Sequence, residues 1–281
     1  MEFVTLNNGV KMPTLGLGVF LAKDPTECEE SVLYALQAGY RLIDTASSYY
    51  NEEAVGRAIK RSGVPREDLF ITTKLWIQDT GYENTKKGFE ESLRKLQLDY
   101  LDLYLIHQPF GDYYGSWRAM EELYKEGKIR AIGVANFNSD RLVDLILNNN
   151  VVPAVDQVEV HPYFQQEKSQ EIMREYGVQM EAWSPLGGQG GVILSDEVLV
   201  NIGKKYGKTA AQVILRWDVQ RGIVTIPKSV HKNRIDSNFD VFDFSLTDEE
   251  MKQIEALDCN RSIADVRDVE IVKSLHDIKI R

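Results

Sequence analysis

The chain has 281 residues, a formal net charge of −10 at pH 7, 43% hydrophobic residues and 27% charged residues, a balance typical of globular proteins. The acidic charge argues against a nucleic-acid partner or an anionic membrane partner, because both require a basic face. No apolar run reaches about eighteen residues, so no transmembrane helix is expected. The amino terminus does not resemble a signal peptide. Cys28 and Cys259 lie outside any metal-ligand spacing, which predicts reduced thiols, no metal and a cytoplasmic location.

The chain begins with a predicted β-hairpin from Phe3 to Met12, with Asn8-Gly9 as its turn. Short apolar runs then alternate with segments of helical periodicity. The predicted strands are Leu15–Val19, Tyr40–Ile43, Leu69–Thr73, Leu101–Ile106, Ile129–Val134, Ala154–Val158, Val178–Ala182 and Ile223–Ile226. The predicted helices are Pro25–Gln37, Glu52–Arg61, Tyr82–Leu96, Ser116–Glu126, Ser139–Leu147, Gln166–Tyr176, Asp196–Tyr206, Thr209–Gln220 and Lys232–Asn238.

Eight short strands rich in Val, Ile and Leu, each followed by a helix, predict an α/β fold of the (β/α)8 TIM-barrel type. A doubly wound open sheet is the alternative, but it usually carries a glycine fingerprint after its first strand. Gly16-Leu17-Gly18 begins such a fingerprint, yet Leu21 occupies the third glycine position. We therefore expect a single barrel domain over residues 1–281, which includes the hairpin at about 3–12 and the tail at about 260–281.

Two features are expected after the last predicted barrel helix. Thr247-Asp248-Glu249-Glu250 resembles a capping box, which predicts a further helix as far as about Leu257. The tail from about residue 260 to 281 has mixed character, and we expect it to pack over one mouth of the barrel.

Four ionisable residues lie at or just after predicted strand ends: Asp44, Tyr49, Lys74 and His107. The carboxyl ends of parallel strands form the active sites of such folds. A free tyrosine titrates near ~10, and a neighbouring lysine cation lowers that pKa. Lys74 could supply the cation, Asp44 could hold Lys74, and His107 could orient a carbonyl oxygen. The pattern therefore predicts protonation of a carbonyl group, as carbonyl reduction requires.

Longer motifs accompany these four residues. They are Gly39-Tyr40-Arg41-Leu42-Ile43-Asp44-Thr45-Ala46, Asn51-Glu52, Thr73-Lys74-Leu75-Trp76, Asp102-Leu103-Tyr104-Leu105-Ile106-His107, Gly133-Val134-Ala135-Asn136-Phe137, Gln157-Val158-Glu159-Val160-His161-Pro162-Tyr163, Trp183-Ser184-Pro185-Leu186-Gly187 and Ile226-Pro227-Lys228-Ser229-Val230. With these motifs in this order, the chain resembles the aldo-keto reductase superfamily over essentially its full length. The resemblance is closest to small bacterial members such as the diketogluconate reductase-like enzymes.

The resemblance implies a catalytic tetrad of Asp44, Tyr49, Lys74 and His107, with Tyr49 as the proton donor. It also implies a barrel whose hairpin plugs the amino-terminal end. The cofactor would be a nicotinamide nucleotide, usually NADPH, bound without a Rossmann domain. Its C4 hydride would attack the carbonyl carbon of an aldehyde or ketone, and the product would be an alcohol.

The resemblance in the same motifs also implies which residues contact the cofactor. Asn136 and Gln157 match residues that hold the carboxamide, and Trp183 matches the aromatic residue that stacks on the nicotinamide. Two cations and a hydroxyl near a helix start suit the adenosine 2′-phosphate, which favours NADPH over NADH. These phosphate-site residues are Lys228, Ser229 and Arg234, and the remaining cofactor contacts are Ser184, Leu186, Val230 and Asn238.

The substrate pocket is expected to be lined by Val19, Phe20, Trp76, Gln108 and parts of the tail. Many relatives have tryptophan where this chain has Phe20 and Gln108, so one side of the pocket should be more open and polar. Methylglyoxal and other toxic aldehydes, sugar-derived ketones and xenobiotic ketones all remain open as the small-molecule substrate. A monomer is the state typical of the family.

Two other functions are weighed against the reductase. A Schiff-base aldolase would use Lys74 or Lys228 as its nucleophile, but a salt-bridged, protonated lysine is a poor nucleophile and Tyr49 would have no role. A non-catalytic module would bind the nucleotide as a redox sensor or partner subunit. The intact tetrad argues against that module.

Overall fold

The computed structural model describes residues 1–188 and 191–280 of the chain. Two short antiparallel strands begin it, β1 (Phe3–Thr5) and β2 (Lys11–Pro13). Eight strands then form one parallel sheet in sequential order. They are β3 (Gly16–Gly18), β4 (Leu42–Asp44), β5 (Phe70–Leu75), β6 (Leu101–Ile106), β7 (Ile129–Ala135), β8 (Val155–Glu159), β9 (Gln179–Trp183) and β10 (Val224–Thr225).

The first and last strands of this sheet are joined. Parallel bridges connect Leu15 to Thr225 and Gly18 to Lys228, so the sheet closes into a barrel with helices between its strands. The predicted (β/α)8 fold is confirmed. Closure brings the carboxyl ends of all eight strands to one mouth, where active sites of this architecture lie.

Eleven α-helices are present in the described residues. They are α1 (Pro25–Ala38), α2 (Glu52–Ser62), α3 (Tyr82–Leu96), α4 (Tyr113–Lys125), α5 (Ser139–Leu147), α6 (Glu167–Glu175), α7 (Glu197–Tyr206), α8 (Ala210–Gln220), α9 (Lys232–Phe239), α10 (Asp248–Glu255) and α11 (Val269–Asp277). The predicted capping box is confirmed, because the Thr247 side chain accepts from the Glu250 backbone N–H and Glu250 reciprocates.

Most predicted boundaries differ from the observed ones by one or two residues, and two differences are larger. Helix α4 begins at Tyr113, three positions before the predicted Ser116, because the Asp112 carboxylate accepts from the Gly115 backbone N–H at 2.8 Å and caps the helix there. Helix α11 lies inside the tail, where no helix was predicted. Its polar cap, Asp268, accepts from the backbone N–H groups of Glu270 and Ile271.

The hairpin lies at the amino-terminal end of the barrel. Its turn places Gly9 at φ 85°, in the left-handed region that favours glycine. The Asn8 amide donates to the Arg130 carbonyl at 2.9 Å, near the start of β7, and the Asn7 amide donates to the Pro153 carbonyl, before β8. Leu6 packs into the barrel interior. The carboxyl mouth is therefore left open to the site.

The tail crosses that carboxyl mouth. The Tyr50 hydroxyl donates to the Lys279 carbonyl at 2.6 Å, and the Trp76 indole N–H donates to the Ile278 carbonyl at 3.1 Å. Both aromatic residues follow the ends of barrel strands. Segment 278–280 therefore forms part of the wall around the site. None of the helices in residues 1–188 and 191–280 is long and apolar enough to span a bilayer.

Candidate active site

Three of the four predicted catalytic side chains meet around one ammonium group. The Lys74 Nζ lies 2.5 Å from Asp44 Oδ1 and donates to the Thr45 carbonyl at 2.9 Å and to the Tyr49 hydroxyl at 3.5 Å. Asp44 ends β4 and Lys74 lies near the end of β5, so adjacent parallel strands bring them together. Lys74 is fully buried. A buried charge requires such a complete set of partners.

A short turn carries Tyr49 back over these strand ends. The Tyr49 backbone N–H donates to the Ala46 carbonyl at 3.0 Å. The Ser47 hydroxyl donates to the Lys74 carbonyl at 2.9 Å, which ties the turn to β5. The aromatic rings of Tyr49 and His107 meet edge to face with centroids 5.5 Å apart. The structure thus brings the whole predicted tetrad together.

The pKa of Tyr49 differs from the sequence-based expectation. Burial raises this pKa above its ordinary value, and the nearby Lys74 cation opposes the rise without reversing it. The prediction that Lys74 brings the pKa below that of free tyrosine is wrong for the net direction, because burial in the closed barrel is the larger effect. The phenol therefore keeps its proton at neutral pH, and the lysine makes the phenolate less costly than burial alone would.

Lys74 is charged in the site, whereas His107 is neutral. Burial lowers the pKa of Lys74, but the charge of the Asp44 carboxylate and its hydrogen bond with Lys74 oppose this effect, so the pKa is raised and the group is a cation. Burial and the Lys74 cation both push the pKa of His107 well below its ordinary value, so its imidazole is neutral. His107 Nδ1 lies 3.4 Å from the Ser48 hydroxyl. The site therefore pairs one ammonium with one neutral imidazole.

The predicted carboxamide contacts lie beside the tetrad. The Gln157 Nε2 donates to Asp44 Oδ2 at 2.8 Å, whereas its Oε1 accepts no hydrogen bond from any described residue. The Asn136 amide donates to the His107 carbonyl at 3.0 Å, and its Oδ1 accepts from the Trp183 indole N–H at 2.9 Å. Trp183 is half-buried at the end of β9. A free amide oxygen and an accessible indole fit a nicotinamide group.

The predicted phosphate contacts gather around the start of α9. Lys228 and Arg234 are exposed, and neither forms an ion pair with any residue in the described ranges. The Ser229 hydroxyl accepts from the His231 backbone N–H at 3.1 Å and forms a turn at the helix start. Two uncommitted cations beside a helix amino terminus fit a phosphate dianion.

The remaining predicted cofactor contacts border the same two regions. Ser184 has φ 50° directly after β9, and Leu186 is half-buried two residues later. Val230 is half-buried between Ser229 and α9. Asn238 is buried inside α9, and its side-chain amide forms no hydrogen bond within residues 1–188 and 191–280. Within residues 1–188 and 191–280, no side-chain hydrogen bond joins these four residues to the tetrad.

The predicted substrate residues differ in how open they are. Phe20 is 54% exposed, and its ring lies 5.0 Å from that of Tyr49. Trp76 is buried and meets the His107 ring edge to face at 5.1 Å. Gln108 is buried and its Oε1 has no hydrogen-bond partner in the described part of the chain. Val19 is packed into the core instead of open to the mouth, because its backbone is tied to Asp44 and Asn51.

Two buried glutamates near the site were not predicted from the sequence. Glu181 on β9 accepts from Gln157 Nε2 at 2.9 Å. Its position two residues before Trp183 in an apolar strand puts both on one face, a signal that could have identified it. Glu159 on β8 accepts from the Ser262 hydroxyl at 2.8 Å and the Ile263 backbone N–H at 2.7 Å, which fastens the tail. No sequence pattern predicts that long-range contact.

Comparison with known proteins identifies the family. Residues 14–258 match the model of the aldo/keto reductase family. The glyoxal reductase of Bacillus subtilis is 54% identical over 257 residues, which cover 91% of this chain and 92% of the relative. The morphine 6-dehydrogenase of Pseudomonas putida is 49% identical over 282 residues, with 95% of each chain covered.

Comparison with solved structures indicates the same family. An aldo-keto reductase of Bombyx mori, solved in complex with NADP, superposes with a TM-score of 0.91 at 37% identity and with 96% of each chain covered. The resemblance found in the sequence motifs is thereby confirmed. The chain belongs to the aldo/keto reductase family and is an NADP-dependent oxidoreductase of carbonyl compounds.

Proposed function

We propose that this protein reduces aldehydes and ketones to alcohols with NADPH and that Tyr49 donates the proton. The observation that carries this proposal is the Lys74 ammonium, which lies 3.5 Å from the Tyr49 hydroxyl and 2.5 Å from Asp44. A phenol beside a fixed cation can release its proton when a basic alkoxide forms next to it. Bound NADPH supplies the hydride in this reaction.

Each tetrad member has one task in this proposal. Tyr49 holds the proton until negative charge develops on the substrate oxygen, and Lys74 then stabilises the phenolate. Asp44 keeps Lys74 charged and in place. His107 is neutral, and a proton on Nε2, with Nδ1 accepting from Ser48, lets it donate a hydrogen bond to the carbonyl oxygen. This arrangement stabilises charge where it forms in the transition state.

The cofactor contacts are proposed on the same basis. Trp183 offers its ring face to the nicotinamide, and the free Gln157 Oε1 and the second Asn136 N–H offer an acceptor and a donor to the carboxamide. At the other end, Lys228, Ser229 and Arg234 would bind the 2′-phosphate, since the two cations form no ion pair within the described residues and the Ser229 hydroxyl lies between them in the chain. Ser184, Leu186, Val230 and Asn238 would line the path between the two ends.

The substrate is proposed to be a small aldehyde, with glyoxal-like dicarbonyl compounds first among them. The name of the Bacillus subtilis relative motivates this choice. The residues that would contact the substrate are Phe20, Trp76 and Gln108, while the packed side chain of Val19 would support the wall. The tail segment 278–280, held by Tyr50 and Trp76, narrows the mouth, which favours a small molecule.

The aldolase alternative is not favoured by this geometry. Lys74 is a buried cation bonded to Asp44, and a protonated amine cannot attack a carbonyl carbon. Lys228 is exposed on the surface and lies outside the buried group that Asp44, Tyr49 and Lys74 form.

The organisation and location of the protein are separate proposals. We propose one folded domain over residues 1–281, monomeric and cytoplasmic, without a nucleic-acid partner. The hairpin and the tail both bind the barrel, both cysteines are free, and the net charge is −10. A single unfolding transition and a monomer mass by light scattering would support the domain and the assembly.

The test of the function is the loss of NADPH absorbance with a panel of aldehydes and ketones. The wild type is compared with Tyr49→Phe, and NADPH binding is measured in both. Turnover by the wild type only, with binding retained in the variant, supports the proposal. Tight NADPH binding without turnover of any carbonyl by the wild type would instead favour the non-catalytic module.

A further inference from the structure

We propose that Glu181 is a positioning residue that holds the Gln157 side-chain amide in one orientation toward the cofactor. Gln157 Nε2 donates to two carboxyl groups at once, Asp44 Oδ2 at 2.8 Å and Glu181 Oε2 at 2.9 Å. These two bonds use both of its N–H groups. The inference rests on the proposed function, in which Gln157 contacts the nicotinamide carboxamide.

The barrel register fixes this contact. Glu181 on β9 and Gln157 on β8 are direct partners in the parallel ladder, so their side chains point into the barrel side by side. Glu181 is fully buried. If the Gln157 amide were flipped, its carbonyl oxygen would face the Asp44 carboxylate, and also the Glu181 carboxylate where Glu181 is ionised, and would lose the hydrogen bonds to them. Two acceptors on the nitrogen side therefore leave Oε1 as the atom that can accept from a bound group.

The chemistry of the ligand follows from that orientation. A free amide oxygen accepts a hydrogen bond from an N–H donor and repels another carbonyl oxygen. The carboxamide of nicotinamide carries both an NH2 group and a carbonyl oxygen. Glu181 would thus make the site selective for the NH2 group at this position, although Glu181 itself touches no cofactor atom. Without Glu181, one Gln157 N–H loses its partner and the amide gains freedom to rotate.

The ionisation of Glu181 makes the strength of its hydrogen bond with Gln157 depend on pH. Burial and the Asp44 carboxylate raise the pKa of Glu181 to about 8, against the opposing effects of Gln157 and Lys74. The charged or titratable groups that face it among the described residues are Asp44, Lys74 and Tyr49. At neutral pH Glu181 is largely protonated and accepts weakly. Above that pKa it is ionised and accepts more strongly from Gln157.

The test compares two ligands that differ only in the group that Gln157 would recognise. NADP+ carries the carboxamide, and 3-acetylpyridine adenine dinucleotide phosphate carries a methyl group in place of its NH2. Quenching of tryptophan fluorescence gives the Kd of each for the wild type, Glu181→Met and Glu181→Gln. Asp156→Asn is the matched control, because Asp156 is a buried acid on β8 without a bond to Gln157.

The wild type and Asp156→Asn should prefer NADP+ by about tenfold, the value of one hydrogen bond. Glu181→Met should reduce the preference to about threefold or less, and Glu181→Gln should retain it, since an amide oxygen can still accept. Between about pH 6.5 and pH 9 the wild-type preference should rise, whereas that of Glu181→Gln should stay constant. The pH comparison uses only the wild type and Glu181→Gln. It therefore tests the inference even where Glu181→Met fails to fold.

The inference is overturned if Glu181→Met prefers NADP+ over the acetylpyridine analogue as strongly as the wild type does. It is also overturned if this preference depends on pH in Glu181→Gln as it does in the wild type. A wild type without any preference also overturns it, while NADPH turnover by the same protein would leave the proposed function standing. Conversely, a preference sensitive to Glu181 in a protein without carbonyl turnover would retain the inference and reject the reductase.

Discussion

The ammonium of Lys74 lies 3.5 Å from the hydroxyl of Tyr49 at the carboxyl mouth of the barrel, where Lys74 is buried and Tyr49 is half-buried. Burial raises the pKa of the phenol, and the lysine is the main group that opposes this rise. The pair therefore combines a proton that is retained at neutral pH with a cation that stabilises its release. This combination is the basis of the predictions on catalysis.

Replacement of Lys74 should remove the stabilisation of the phenolate. Lys74→Met should lower kcat by about 1000-fold, because a loss of about 4 kcal/mol is expected when one preorganised charge is removed from a buried site. Steady-state rates with a small aldehyde measure the effect. Lys168→Met, a change at an exposed position of α6, is the control and should retain the wild-type rate. A Lys74→Met rate within about tenfold of wild type would contradict this role.

Arg234 should discriminate between the two nicotinamide cofactors. Arg234→Ala should raise the KM for NADPH by about tenfold and leave that for NADH unchanged, because only NADPH carries the 2′-phosphate. Lys232→Ala removes an equal charge from the same helix. The Lys232 Nζ lies 5.0 Å from the Tyr34 ring centroid, so this control should have a smaller effect. Equal changes for NADPH and NADH in Arg234→Ala would argue against a phosphate contact.

Gln108 should widen the tolerance for polar substrates. Its buried Oε1 has no partner in the described residues, and burial of an unpaired acceptor favours a ligand that donates to it. Gln108→Trp should shift the ratio of kcat/KM from polar toward aromatic aldehydes by about fivefold. Competition assays with one polar and one aromatic aldehyde measure this ratio directly. An unchanged ranking of the two substrates would show that Gln108 does not contribute to specificity.

Asp218 should make the stability depend on pH. Burial raises the pKa of its carboxyl to about 8, above the value of about 3.9 in an unfolded chain. The folded state then holds a proton that the unfolded state has released, so stability decreases as the pH rises toward 8. Asp218→Asn removes this ionisation. Its Tm relative to wild type should be higher at about pH 8.5 than at about pH 5; a difference independent of pH would contradict the prediction.

The sequence predicts the fold well because strand ends and turns are local signals. Asn8-Gly9, the Thr247 capping box and the apolar runs before Asp44 and Lys74 each specify their own element. The parallel order then places the tetrad at one mouth. Motifs known from a family add the cofactor residues, which periodicity alone would not identify.

Distances and net electrostatics are not contained in such local signals. The net rise in the pKa of Tyr49 depends on burial in the folded barrel, whereas the sequence indicates only the opposing cation. The bonds from Gln157 to Asp44 and Glu181 join three strands. The contact of Glu159 with the tail joins residues about 100 positions apart. Each is a product of tertiary packing.

The most direct test of the account is single-turnover reduction of a small aldehyde by preformed enzyme–NADPH complexes of the wild type and Tyr49→Phe. Phe differs from Tyr only by the absent hydroxyl, so the comparison isolates the contribution of that group. We predict that Tyr49→Phe binds NADPH within about twofold of wild type and oxidises it at least about 1000-fold more slowly. A Tyr49→Phe variant that oxidises NADPH at a rate near that of wild type would contradict the central claim.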